Sequence, residues 1–79
     1  MLLTVIVQEV ATPLPPVYPY PLIYTIHTTN PTDKDAVLHA VAVARAADIG
    51  WDDVEEIKAG LQPLFAFPLD TRPWLGWRE

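Results

Sequence analysis

Apolar and polar positions change rhythm several times along this chain, and each change marks an element. Residues 2–10, LLTVIVQEV, are apolar on both alternating sets until Gln8. They predict a strand buried on both sides. Residues 22–29, LIYTIHTT, alternate more cleanly. Leu22, Tyr24, Ile26 and Thr28 share one face, while Ile23, Thr25 and His27 form a more polar one. A half-exposed strand is expected there. From Pro31 to Ile49 the period becomes helical, with Ala36, Ala40, Val43, Ala44 and Ala47 on the predicted inward side. Leu38, Ala42 and Ile49 form a second apolar edge, and Asp33, Arg45 and Asp48 line the wet side. Asn30 is the expected cap, Pro31 suits the first helical position, and Gly50 stops the helix. A shorter helix is expected over 51–61, with Asp52 and Asp53 in its first turn and Val54, Ile57 and Leu61 inward. Gly60 and Pro63 end it.

Two stretches interrupt these rhythms. Residues 11–21, ATPLPPVYPYP, hold five of the nine prolines. Prolines this dense exclude a helix interior or a central strand, so an extended, polyproline-like strap is expected. It either crosses the body or projects from it. Residues 68–79 form an irregular aromatic tail after Leu64–Phe67, a candidate short third strand. A two-stranded sheet alone is marginal in water, which favours that third strand or one from a partner. The expected architecture is α+β, in a single small domain over 1–79. Strands at about 2–10, 22–29 and 64–67 are packed by helices at about 31–49 and 51–61.

Composition narrows the chemistry. Seventy-nine residues bury only roughly 60% of their unfolded surface, so the core is thin. With no cysteine, disulfides and Cys-type metal sites are closed. There is no serine either, which removes the usual nucleophilic triads. His27 and His39 stand twelve apart, outside standard metal-ligand spacings. His39 follows Asp35 by four residues, which predicts a contact along the helix. Asp52, Asp53 and Glu56 offer an acidic grouping whose spacing suits a magnesium site of a small metal- or phosphate-dependent enzyme, and a solvated helix start explains the same residues. No Gly-rich phosphate loop accompanies them. Neither a metal nor a cofactor is expected.

The net charge of −5 works against nucleic acid and anionic membranes. The first ten residues lack a basic leader, and no apolar run approaches the roughly 20 residues of a membrane span. A cytoplasmic location is expected. The stretch ARAADIGWDDVEEIKAG resembles the first two helices of some helix-turn-helix proteins. That likeness implies a DNA-associated regulator using the 31–61 helix pair. The basic recognition helix such a protein needs is replaced here by LQPLFAFPLD.

The strap carries the most specific short signal. Pro15-Pro16-Val17-Tyr18 resembles the Pro-Pro-x-Tyr ligands of WW domains, and Tyr18–Leu22 looks like a Tyr-Pro-x-x-Leu ligand. A rigid strap whose tyrosines cover the core accounts for the same residues. With half the chain hydrophobic and three tryptophans, the sequence points to a non-enzymatic protein-interaction module, a small adaptor, regulator or inhibitor. Its expected contact residues are Pro15, Pro16, Tyr18 and Tyr20 in the strap, and Trp74 and Trp77 in the tail. Surplus apolar area also predicts a homodimer beside the protein partner.

Overall fold

A computed structural model describes residues 1–68. It contains β1 (Leu2–Glu9), β2 (Leu22–His27), α1 (Lys34–Ile49), α2 (Val54–Ala59) and β3 (Leu61–Phe67). The three strands form one antiparallel sheet in the order β2-β1-β3. The α+β architecture read from the sequence is therefore present, with the most apolar strand at the centre. Leu3, Val5 and Val7 alternate onto one face and are buried. Opposite them in β2 stand Ile26, Tyr24 and Leu22, in an unbroken register with β1. Tyr24 and Ile26 are buried while Ile23 and His27 are exposed, which is the half-exposed strand the alternation implies.

The third strand is longer than the Leu64–Phe67 expectation. It begins at Leu61 and runs through Pro63, which serves neither as a helix stop nor as a strand breaker. Proline is tolerated because β3 is an edge strand. The register shifts there: Ile6 opposes Phe65 while Val7 opposes Pro63, leaving Leu64 as the extra residue of a bulge.

Helix α1 starts three residues later than the sequence rhythm implies. Asp33 is its cap, accepting a hydrogen bond from the Ala36 N–H at 3.1 Å. Asn30 instead organises the preceding turn, where its carbonyl accepts from Asp33 N–H and its side chain from Thr32. The helix ends at Gly50, whose φ of 69° is left-handed and suits glycine. The inward face is also rotated from the expected one. Val37, Val41, Ala42 and Ala46 are buried; Ala36, Val43 and Ala47 are exposed. Alanine around most of the helix weakened the periodic signal, so the two valines at i and i+4 were the better guide.

Helix α2 is shorter than 51–61. Asp53 caps it through the Glu56 N–H, so the acids of its first turn are Glu55 and Glu56 rather than Asp52 and Asp53. It packs mainly on α1, and Ile57 reaches the core. Lys58 of α2 donates to Asp35 of α1 at 2.7 Å. That bond holds the Asp35 carboxyl below its usual range. The ion-pair contact of His39 is with Glu55, its Nδ1 lying 3.4 Å from Glu55 Oε1, while Asp35 interacts with it through charge alone. The interhelical contacts outcompete the local i,i+4 pair because α2 lies alongside.

Candidate functional site

The alternation that buries Leu3, Val5 and Val7 brings Glu9 to the same face, at the strand's last residue. A carboxylate buried there requires a partner. Arg45 of α1 supplies it: Nε donates to Glu9 Oε2 at 3.0 Å and Nη2 to Oε1 at 3.4 Å. The Glu9 side chain is 2% exposed and that of Arg45 15% exposed. Arg45 is thus not on the wet side of α1. Burial would lower its proton affinity, but bonds to Glu9 and Tyr24 outweigh that and raise it.

Glu9 also holds the strap. The Tyr18 N–H donates to Glu9 Oε1 at 2.9 Å, and the Tyr18 ring lies 6.0 Å from the Arg45 guanidinium carbon. One carboxylate therefore joins the end of the central strand, the helix and the middle of the strap. The strap's base is fixed separately, by the Val10 and Ala11 N–H groups donating to the Gly60 carbonyl. A side chain at Gly60 would collide with the Ala11 backbone, so only glycine admits this approach.

Between these two ties the strap bends at 13–16, and it bends again at 19–20, beyond the Tyr18 tie and before β2. The Pro15–Pro16 peptide bond is cis. Pro15, Pro16, Tyr18 and Tyr20 are all exposed. Tyr20 is 67% exposed, and its ring meets that of Tyr18 edge-on at 5.9 Å. Of these four sequence-predicted residues, the structure brings Tyr18 and Tyr20 into contact. Leu22 opens β2 and is half-buried, so the Tyr-Pro-x-x-Leu likeness has its last residue committed to the sheet. Trp74 and Trp77 lie outside the described residues.

Beside the strap, a cavity of 380 Å³ opens between α1 and β2, lined by Tyr18, Leu22, Tyr24, Ala44, Arg45 and Asp48 among others. The Tyr24 hydroxyl donates to Asp48 Oδ2 at 2.7 Å. Burial, then the bond and charge of Asp48, push the Tyr24 hydroxyl well above its ordinary range. It is a proton donor in a hydrogen bond at neutral pH. Sequence reasoning missed Glu9, Arg45, Tyr24 and Asp48 as a connected group. The available signal was the parity of Glu9 with Leu3, Val5 and Val7.

The acidic start of α2 is otherwise occupied. Asp53 caps the helix and Glu56 accepts from the Trp51 indole at 2.8 Å. Among the described residues no group of three potential ligands is placed to hold a metal ion, and no helix is long and apolar enough to cross a membrane. No protein-family model matches the chain, no curated protein matches its sequence, and no solved structure matches its fold.

Proposed function

We propose that this protein is a non-enzymatic interaction module that contacts another protein through the strap. The supporting observation is the Tyr18–Tyr20 pair, held at the surface on a segment tied to the body at both Glu9 and Gly60. Tyrosine offers large contact area at small entropic cost, and a tethered loop loses little further freedom on binding. Exposed proline and tyrosine over an uncharged strap suit the centre of a protein interface, where charges are depleted and aromatics enriched.

The test places a photo-crosslinking amino acid at Tyr20 of the full chain in its native cell. A discrete protein adduct is expected, and it should be lost when Tyr18→Ala is added. Tyr20→Ala should leave thermal unfolding within about 0.5 kcal/mol of the parent, as for an exposed side chain. An absence of any adduct, or unfolding caused by Tyr20→Ala, overturns the reading.

A further inference from the structure

We propose that a second copy of this chain pairs along the outer edge of β2, joining two three-stranded sheets into one of six strands about a two-fold axis. The two edges of the sheet are built differently. β3 carries Pro63 and the Leu64 bulge, both of which obstruct pairing with a further strand. β2 carries neither. Its six residues contain no proline and no Asp, Glu, Lys or Arg, and its register with β1 is unbroken. Among the described residues, no strand pairs with its outer side. An edge of this kind is a template for strand addition, and charge or proline is the usual protection.

Charge selects a second copy as the occupant. From Val10 to Thr32 the chain has no Asp, Glu, Lys or Arg, although the whole molecule carries −5. The acids of the described helices lie outside that run. Two copies meeting along the helices would bring acidic surfaces together; meeting along β2 and its flanks, they bring none, and the equally uncharged β3 edge is the one obstructed by Pro63 and the bulge. A strongly basic or acidic partner would find no complement on the same run.

The side chains at the edge also suit association. Ile23 is 44% exposed, on the parity opposite to the buried Tyr24 and Ile26. On the helix side, the 380 Å³ cavity beneath Leu22 and Tyr24 gives room for groups that a paired strand brings. Its charged members are already engaged, Arg45 by Glu9 and Asp48 by Tyr24. A small chain without disulfides gains much from a shared sheet.

Sedimentation velocity of the full chain, from about 1 to about 100 µM, tests this. The expected species is twice the 8.8 kDa chain mass. Ile23→Lys should sediment as a monomer with unchanged far-ultraviolet circular dichroism. Phe65→Lys, at the other edge, should remain dimeric. Amide exchange over 22–27 should be slow in the parent and at least tenfold faster in Ile23→Lys. A parent that is monomeric throughout overturns the proposal. So does a dimer that survives Ile23→Lys, or one lost with Phe65→Lys alone. Ile23→Lys leaves Tyr20 in place, so the strap's crosslinked adduct can persist or fail independently of the dimer.

Discussion

Glu9 occupies a position where the strand's own pattern would place an apolar residue, and its worth depends on what it joins. Its oxygens serve Arg45 and the Tyr18 N–H at once. Removing one member of a buried pair strands the other, whereas replacing both can be nearly neutral. Glu9→Leu and Arg45→Leu should each cost about 3 kcal/mol, and the double variant clearly less than their sum. Urea denaturation of the four proteins checks this; strict additivity would show that the two charges do not act as a pair. Tyr24 gives a second residue-scale prediction. Tyrosine in an unfolded chain ionises near pH 10, while the folded Tyr24 hydroxyl keeps its proton to higher pH. Its stabilising effect is therefore complete below about pH 10 and is lost as pH rises through the folded value. Tyr24→Phe should cost about 1 kcal/mol at neutral pH, through the lost bond to Asp48. It should also flatten the fall in stability above about pH 10, measured by urea denaturation at each pH.

Elements were legible where side chains contrast and illegible where they do not. In β2 the contrast of Tyr24 and Ile26 with Thr25 and His27 identified the buried face directly. In α1 the alanines fit any face, and the predicted inward set included Val43, which is exposed. Val41, two positions away, is fully buried. Val41→Ala should therefore cost about 2 kcal/mol through lost burial and a residual cavity, and Val43→Ala no more than about 0.5 kcal/mol. Thermal or urea unfolding distinguishes them, and equal costs would mean the helix is rotated from the face described. Ends of elements escaped for another reason. Asp33 and Asn30 are both good caps, and only the tertiary path of the turn decides which one starts the helix. Pro63 read as a terminator because a proline in a strand is admissible only at an edge, and the strand order is not written locally. For the site, composition marked Tyr18 and Tyr20 but left open whether they cover the core or face solvent, and the Glu9–Arg45 pair spans thirty-six residues and needs the fold to bring it together.

At the scale of the whole molecule, the described core is one layer of α1 and α2 against one face of a three-stranded sheet. For 79 residues a stability of roughly 4–12 kcal/mol is expected, and with no cysteine in the chain no disulfide adds to it. If folded chains pair along β2 and unfolded chains do not, unfolding is coupled to dissociation and the midpoint must rise with protein concentration. Each tenfold increase adds about 1.4 kcal/mol per dimer. Shared between two chains of this size, that raises the melting temperature by roughly 3–5 °C. Scanning calorimetry across two decades of concentration should show this rise in the parent and in Phe65→Lys. In Ile23→Lys the midpoint should be lower and independent of concentration, since the charged side chain leaves the edge exposed without touching the buried face of β2. A parent midpoint that does not move with concentration would mean that the single layer is stable alone, and that the uncharged run from Val10 to Thr32 presents its edge to no second copy.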